Sequence, residues 1–463
     1  MNPPQYLVDE VARLHTFNNP QYLMARKHSP TGYTNIEKYV ELYSKSDDSI
    51  QFPRGFPLDR LSSRSRKYLD AAKIVDMRCE NAVSWPDMTL EPNKEQKALL
   101  SAFTQAISGS KCPFGNYLLQ GSTSMGKTIA LLMIARATKQ KTLVLYHRNT
   151  IKKSWTDDLK FALGLGSKEV GVIQGEKFKI GEVITLASIR TLFRRQERWD
   201  ELFSEMGCII LDEADIMGSN EVNRIVYAAP SRYLIGTSAT NKNARTFFAT
   251  AAFGLPIVKV DTAGKDTSTS LTLRKVKVHY TAFEYEGVEG MVDFNDLLLN
   301  LILDEDRNQL IVDNVYEQWK RGERPMIVTK RIAHLRLLLE MLKDKGVTDA
   351  TAVTAEGMTP KQIETIINEV REGSIRCIIA IEAIVLRGVN LNPMENLHIA
   401  TPIAKKDNLQ QLIGRMRRKA KGKTHNQVDY YFDKKVAYLT NLYKRVACPT
   451  FAKEGIEKYK HMF

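Results

Sequence analysis

Apolar residues fall into two series along the chain, in which short strand-like runs alternate with helix-like patterns. In the first series, which spans about residues 90–253, strands are predicted at 117–120, 142–146, 183–187, 208–211 and 233–236. Helices are predicted there at 127–139 and 150–163. Short apolar runs that alternate with helices indicate a parallel sheet covered by helices.

The second series follows residues 263–270, a polar stretch with an unbroken hydroxyl run, which we interpret as a linker. Strands are predicted at 325–329, 351–354, 376–381, 397–400 and 428–432, and helices at 332–345 and 360–372. Thr359 is the predicted N-cap of the last helix, because Pro360 takes the first helical position and Gln362 stands three residues after the cap. The chain is therefore predicted to be an α/β protein with two similar halves.

Residues 1–88 are less regular and hold several prolines and aromatic residues, so we expect a small accessory domain there, a candidate for nucleic-acid binding. The α/β domains are expected at 89–265 and 266–463.

The net charge of +14 is concentrated in one segment. Between residues 405 and 423 a single acid, Asp407, accompanies eight bases, namely Lys405, Lys406, Arg415, Arg417, Arg418, Lys419, Lys421 and Lys423. Such a surplus attracts polyanions, of which nucleic acid is the commonest. A merely soluble basic protein is the alternative.

The five cysteines lie far apart and form no CxxC pair, so we expect no zinc site and a reduced, cytoplasmic protein. If the protein is encoded by a phage, that compartment is the host cytoplasm. The longest apolar runs are far shorter than the roughly 18 residues that a membrane span needs. We also see no signal peptide at the N-terminus.

The chain contains the phosphate-loop pattern G-x-x-x-x-G-K-[ST], with a predicted strand before it and a predicted helix after it. Its residues are Gly121, Ser122, Thr123, Ser124, Met125, Gly126, Lys127 and Thr128. The glycines let backbone N–H groups face phosphate oxygens, Lys127 reaches the terminal phosphates, and the Thr128 hydroxyl binds Mg²⁺. The pattern therefore predicts a site for a nucleoside triphosphate such as ATP.

Asp212 and Glu213 follow a buried run at 208–210, and carboxylates at this end of a parallel strand face the ligand crevice. We expect Asp212 to hold Mg²⁺ through water and Glu213 to orient or deprotonate the attacking water. A helix cap or a solvated turn is the alternative. Gln96, some thirty residues before Lys127, is a candidate for reading the adenine edge, with a surface glutamine as its alternative.

From about residue 90 to 432 the set of motifs resembles the superfamily 2 helicases. Residues 237–240, Thr-Ser-Ala-Thr, are similar to that family's Ser-Ala-Thr motif, and residues 411–418 are similar to its Q-x-x-G-R-x-x-R motif. The resemblance implies two tandem RecA-like motor domains, with Ser238, Thr240 and Gln411 coupling hydrolysis to movement. It also implies that Arg415 and Arg418 are arginine fingers for the γ-phosphate. A solvated basic helix face is the alternative, and Arg417 and Lys419 could be only that.

Two features bear on the branch of the superfamily. Asp-Glu-Ala-Asp at 212–215 suggests the DEAD-box RNA helicases, but that group's Pro-Thr-Arg-Glu-Leu segment is replaced here by residues 147–151, His-Arg-Asn-Thr-Ile. The stretch from Pro53 to Arg78 resembles the region before the motor in the UvsW-like branch-migration helicases of tailed bacteriophages. That resemblance implies remodelling of forked and four-way DNA in replication, recombination or repair, with RNA the less favoured partner.

In motif V, Ile381 stands where the family often has threonine, so a nucleic-acid contact there is doubtful. Glu382, Gly388 and Asn390 remain candidates near the nucleotide. The resemblance also implies a track for the nucleic-acid strand, whose candidates are His147, Arg148, Asn149, Ser188, Arg190, Lys330 and Arg331. Each offers a donor to phosphate, and each could equally be a solvated loop residue.

Trp155 and Trp199 could stack on bases, but both fall in helical patterns, where core packing is favoured. Two other functions stay open, an RNA helicase and a nucleotide-controlled clamp that grips nucleic acid without unwinding it. Protein partners are not predicted.

Overall fold

The computed structural model describes residues 2–28, 34–73, 75–109, 114–121, 126–238, 246–260, 270–285, 292–354, 356–386 and 391–460. The chain divides into two compact units, whose main boundary follows residue 260. The predicted domain boundary after residue 265 and most of the predicted linker fall within 261–269, outside the described residues.

The N-terminal region packs around a small apolar core of its own. Leu7 and Val11 are one helical turn apart, so both face Phe56 and Leu61. The helices of this region are α1 (Gln5–His15), α2 (Pro20–His28) and α3 (Ser63–Asp70), and its strands are β1 (Thr16–Asn18), β2 (Tyr39–Glu41), β3 (Ser44–Lys45) and β4 (Ile50–Gln51).

This region is fastened to the α/β part of the first unit. Arg54 donates from Nη2 to the carbonyl oxygen of Phe114 at 2.9 Å. Gly55 lies so close to Thr250 that an added Cβ would stand 2.3 Å from the Thr250 carbonyl oxygen, so only glycine fits. Arg54 and Gly55 belong to the stretch from Pro53 to Arg78. This stretch therefore attaches the N-terminal region to the α/β part of the first unit.

The first unit contains an eight-stranded sheet within the described residues, in the order β12-β5-β11-β10-β6-β9-β7-β8. Its strands are β5 (Asn116–Gly121), β6 (Thr142–Tyr146), β7 (Val170–Gln174), β8 (Lys177–Lys179), β9 (Ile184–Ser188), β10 (Cys208–Leu211), β11 (Tyr233–Ser238) and β12 (Pro256–Val260). All neighbours pair in parallel except β7 and β8. The central strands β6 and β10 are buried along their whole length, as is typical of strands covered on both faces.

The helices that accompany this sheet are α4 (Lys94–Ser108), α5 (Lys127–Thr138), α6 (Asn149–Leu163), α7 (Ile189–Arg194), α8 (Trp199–Phe203), α9 (Asn220–Ala228) and α10 (Thr246–Phe253). Sequence explains where α6 ends, because Gly164 adopts φ +62°, a left-handed conformation that favours glycine. The predicted helices at 127–139 and 150–163 are confirmed as α5 and α6.

The second unit is built on a six-stranded, all-parallel sheet within the described residues, in the order β13-β18-β17-β14-β16-β15. Its strands are β13 (Lys275–Tyr280), β14 (Pro325–Thr329), β15 (Ala350–Val353), β16 (Cys377–Ile381), β17 (Asn396–Ile399) and β18 (Gln427–Phe432). Its helices are α11 (Phe294–Leu303), α12 (Glu305–Lys320), α13 (Ile332–Asp344), α14 (Pro360–Glu372), α15 (Glu382–Leu386), α16 (Lys406–Met416), α17 (Ala437–Leu442), α18 (Cys448–Lys453) and α19 (Glu457–Lys460), with a π-helical turn at Tyr443–Ala447.

The predicted start of α14 is confirmed in detail. The Thr359 hydroxyl accepts the backbone N–H of Gln362, and the Gln362 side chain accepts the backbone N–H of Thr359. The predicted fold class is also confirmed, since the sheet of the first unit is parallel except for the β7–β8 pair, the sheet of the second unit is all-parallel, and helices cover both. Among the described residues, no helix combines the length and the apolar character needed to cross a bilayer.

Candidate active site

The predicted phosphate loop joins the end of β5 to the start of α5. Gly121 ends the strand and Lys127 begins the helix, as the motif requires. Gly126 has φ +76°, which an L side chain rarely adopts. The predicted residues 122–125 lie outside the described residues. Lys127 and Thr128 therefore stand at the N-terminus of a helix, where backbone N–H groups favour anions.

Asp212 comes directly after β10 and is only 7% exposed. Leu211 lies opposite Gly236 on β11, which places Asp212 beside Thr237. Asp212 Oδ1 accepts a hydrogen bond from Thr237 Oγ1 at 3.0 Å, and Oδ2 accepts one from Trp155 Nε1 at 3.1 Å. Asp212 is therefore not a solvated turn residue.

Glu213 has φ +64° and ψ +61°, a left-handed conformation that is uncommon for a residue with a side chain. It precedes a 3-10 turn, but its side chain caps nothing there. Burial and the neighbouring Asp212 raise the pKa of the Glu213 carboxyl, while the Arg148 and Lys127 cations oppose the shift. A carboxylate with a raised pKa suits a group that accepts a proton from water.

His147 follows β6, which pairs in parallel with β10, so the two strand ends meet at one edge of the sheet. Its Nε2 lies 3.3 Å from Glu213 Oε2, and Arg148 Nη1 lies 3.8 Å from the same oxygen. Burial lowers the pKa of His147 to about 4, so its ring is neutral at pH 7. His147 therefore offers no charge to a phosphate, although the sequence pointed to it as a strand contact.

The other strand-contact candidates of the first unit lie at or near this edge. Ser188 ends β9 opposite Tyr146, next to His147, and Arg190 is exposed on α7. Asn149 is exposed at the start of α6, where its Oδ1 accepts a hydrogen bond from Gln174 Nε2 at 2.6 Å. Their contacts with nucleic acid stay predictions.

Gln96 is 6% exposed, so its interpretation as a surface glutamine is wrong. It forms a capping box with Asn93, whose backbone N–H donates to Gln96 Oε1 at 3.0 Å. Adenine recognition by Gln96 stays a prediction. Ser238 ends β11 and is fully buried, whereas Thr240 lies outside the described residues.

In the second unit, Lys330 follows β14 and Glu382 follows β16, and these strands pair in parallel. Lys330 Nζ lies 3.7 Å from Glu382 Oε2, and Asn408 donates to the other Glu382 oxygen at 2.9 Å. Burial lowers the pKa of Lys330, opposed by the Glu382 charge. Arg331 donates from Nη2 to Asn295 Oδ1 at 2.8 Å. Both predicted strand contacts thus have partners within the protein.

The predicted arginine fingers lie at the end of α16 and just beyond it. Arg415 donates from Nη2 to the carbonyl oxygen of Leu386, the last residue of α15, at 3.0 Å. Burial lowers the pKa of Arg418. Gln411 is half-buried on the same helix. The motif V candidates Gly388 and Asn390, which follow α15, lie outside the described residues.

Two members of the basic segment are buried, and for Arg417 the interpretation as a solvated charge is wrong. Arg417 is 2% exposed, donates from Nε to the Leu271 carbonyl oxygen at 2.6 Å, and pairs through Nη1 with Glu454 at 3.0 Å. Lys423 is buried, donates to the carbonyl oxygens of Asn392 and Met416, and has its pKa lowered to about 7 by burial. The exposed bases of the segment are Lys405, Lys406, Lys419 and Lys421.

Neither tryptophan is placed as a stacking platform. Trp155 is fully buried beside Asp212, so base stacking by this residue is wrong and core packing is confirmed. Trp199 is half-buried, packs on Phe203, and donates to the Leu192 carbonyl oxygen at 2.8 Å. Trp155 and Thr237 are the polar partners of Asp212 that sequence reasoning did not identify.

Comparison with known proteins adds two family matches. Residues 89–243 match the family of the type III restriction enzyme res subunit, and residues 306–420 match the helicase conserved C-terminal domain. The chain is 23% identical over 400 residues to the probable helicase D10 of Escherichia phage T5, covering 84% of this chain and 82% of that protein. It is 22% identical over 404 residues to the putative ATP-dependent RNA helicase L396 of Acanthamoeba polyphaga mimivirus, covering 82% of this chain and 71% of that protein.

Among solved structures, Dbp5 of S. cerevisiae bound to RNA and ADP BeF3 resembles this chain with a TM-score of 0.55 at 13% identity. The match covers 79% of this chain and 89% of that chain. At this identity the likeness concerns the fold, and it agrees with two parallel-sheet domains in tandem.

Proposed function

Because the chain belongs to the superfamily 2 helicases, we propose that it is an ATP-driven DNA translocase that unwinds or remodels forked and four-way DNA in replication, recombination or repair. It is an ATP-dependent helicase that binds nucleic acid, and the choice of branched DNA is the proposed step. The observation that carries the ATPase site is the placement of Lys127, Asp212 and Glu213 at the carboxyl edge of the first sheet.

Lys127 neutralises charge on the terminal phosphates of ATP from the start of α5, where the helix N-terminus also favours anions. Thr128 and Asp212 would hold Mg²⁺, Asp212 through water, because hydroxyl and carboxylate oxygens are ligands of the type this ion takes beside phosphate. Magnesium held there would supply charge neutralisation on the phosphates of the nucleotide. Asp212 suits this role because two neutral donors, Trp155 and Thr237, fix the orientation of its carboxyl group.

Glu213 orients the attacking water and takes its proton. Lys127 is close enough to lower the pKa of Glu213, so the two residues belong to one site. His147, neutral at pH 7, lies against the Glu213 carboxylate on the side of β6 and adds no charge to those of Arg148 and Lys127. Glu213 is therefore the general base of the proposed reaction.

Arg415 and Arg418 are assigned as arginine fingers for the γ-phosphate, on the resemblance of residues 411–418 to the family motif. A positioned guanidinium stabilises the transition-state charge by an amount worth about 10³–10⁵ in rate. Arg417, between them, is excluded from this role by its buried pairing with Glu454. Ser238, Thr240, Gln411, Gly388 and Asn390 stay assigned to coupling or to the nucleotide on the same resemblance.

The DNA assignment is supported by the resemblance of residues 53–78 to phage branch-migration helicases. The exposed residues Arg148, Asn149 and Arg190 are the first unit's proposed phosphate contacts, and exposed lysines of the segment 405–423 add attraction. An RNA helicase is the second candidate, favoured by the name of the mimivirus relative.

ATP hydrolysis with matched effectors tests this proposal. Purified protein is assayed with single-stranded, duplex, forked and four-way DNA and with RNA of the same sequences, and Lys127→Ala serves as the inactive control. We expect DNA to stimulate hydrolysis, and branched DNA to stimulate it most. Stimulation by RNA alone would favour the second candidate, and hydrolysis without strand displacement on any substrate would favour a nucleotide-controlled clamp.

A further inference from the structure

Trp155 stands on α6 with its indole fully buried and its Nε1 directed at the magnesium-binding candidate Asp212. The distance from Nε1 to Asp212 Oδ2 is 3.1 Å, and the two residues are 57 positions apart in sequence. An indole N–H can only donate, and here it donates to a carboxyl oxygen. A buried carboxylate without such donors would be costly.

The preceding residue on α6 contacts the other predicted magnesium ligand. Ser154 Oγ lies 3.5 Å from Thr128 Oγ1. Two consecutive residues of one helix thus contact the hydroxyl and the carboxylate assigned to the same ion. Ser154 is exposed, whereas Trp155 is fully buried, and core packing alone would not require the polar Nε1 atom at position 155.

We propose that Trp155 is a positioning residue for ATP hydrolysis, whose indole N–H fixes the Asp212 carboxylate in the orientation that holds magnesium. This inference rests on the proposed nucleotide site. Trp155 touches neither substrate nor metal, and it acts through Asp212. Thr237 holds the other oxygen, so loss of the indole N–H frees the carboxylate to rotate about its remaining hydrogen bond.

The sharpest perturbation changes one ring atom. Replacing Trp155 with 3-benzothienylalanine puts sulfur where the indole has N–H and keeps the bicyclic shape, so the core stays filled. The same replacement at Trp199 is the matched control, because Trp199 also donates its N–H once, to the Leu192 carbonyl oxygen, but has no contact with Asp212. Trp155→Phe is a second variant, and thermal unfolding of each protein reports whether the fold is kept.

Two measurements separate positioning from packing. The first is the affinity of Mn²⁺ for the protein–ADP complex, read from the electron paramagnetic resonance signal of free Mn²⁺. The second is the magnesium dependence of ATP hydrolysis. Loss of a residue that orients a metal ligand weakens metal affinity by about 10- to 100-fold. We expect that loss for the Trp155 analogue, with kcat largely recovered at high magnesium, and no change for the Trp199 analogue.

Unchanged Mn²⁺ affinity in a folded Trp155 analogue would overturn the inference and leave Trp155 as a core residue. Asp212→Asn is measured alongside, because it tests the proposed site itself. If Asp212→Asn also left Mn²⁺ affinity unchanged, the nucleotide site would be wrongly assigned. If only the Trp155 analogue did so, the positioning role alone would fail.

Discussion

Replacing Thr237 with valine removes one hydroxyl and leaves the shape of the side chain nearly unchanged. Thr237 is 2% exposed, Asp212 is 7% exposed, and the hydroxyl donates to Asp212 Oδ1 at 3.0 Å. At this depth bulk water does not supply a substitute donor. A hydrogen bond to a charged group contributes about 1.5–3 kcal/mol, so we expect kcat/KM for ATP to fall roughly 10- to 150-fold.

Thr237→Ser is the matched control, because it keeps the hydroxyl and loses only a methyl group. Steady-state ATP hydrolysis at one subsaturating magnesium concentration compares the two variants, and circular dichroism melting checks that both are folded. The serine variant should stay close to the wild-type rate. If the valine variant hydrolyses ATP as fast as the serine variant, the reasoning that Asp212 depends on this donor is refuted.

Three further predictions concern other parts of the chain. Arg417→Met should destabilise the second unit by about 3–5 kcal/mol, because it removes the cation that pairs with buried Glu454. Urea unfolding followed by hydrogen exchange measures this, and Lys419→Met, at an exposed position, should have an effect below about 0.5 kcal/mol. The rate of hydrolysis should fall on acidification at a pH above 4.5, the ordinary pKa of glutamate. The reason is that the raised pKa of Glu213 causes its carboxylate to be protonated at a higher pH than an ordinary glutamate. A kcat–pH profile with its acid limb at or below 4.5 would contradict this. Lys127→Ala should abolish hydrolysis but keep salt-sensitive DNA binding, because exposed bases outside the phosphate loop supply that binding. Fluorescence anisotropy measures the binding, and its loss would indicate that Lys127 contacts the DNA strand.

Sequence periodicity predicted the strands that are buried on both faces. The stretches 142–146, 208–211 and 325–329 coincide with β6, β10 and β14, because a continuous apolar run has no other stable place in an α/β fold. Of the four edge strands of the two large sheets, β15 was predicted, at 351–354, whereas β8, β12 and β13 were missed. In β8, Lys177 and Lys179 flank a single apolar residue. Charged residues on an edge strand prevent unwanted pairing with strands of other molecules. They also leave β8 without the apolar run by which a strand is predicted from sequence.

The sequence predicted those residues of the candidate site that belong to local motifs. A strand–loop–helix pattern predicted Lys127 and Thr128, and a strand followed by two acids predicted Asp212 and Glu213. These residues could be identified because their place in the fold depends on their neighbours in the chain. Trp155 has the helical spacing of a core residue, but its hydrogen-bond partner lies on another strand, so no local pattern could reveal it. Arg417 and Arg418 are adjacent and chemically alike, and only the tertiary partners Leu271 and Glu454 identify Arg417 as structural.

Migration of a synthetic four-way DNA junction is the measurement that tests the central claim most directly. Wild-type protein, Glu213→Gln and buffer alone are incubated with a mobile junction, with ATP and magnesium, and the products are separated by native electrophoresis. We predict that wild-type protein resolves the junction into its two duplexes only when ATP is present, and that Glu213→Gln binds the junction without moving it. An intact junction under conditions in which wild-type protein hydrolyses ATP would contradict the account.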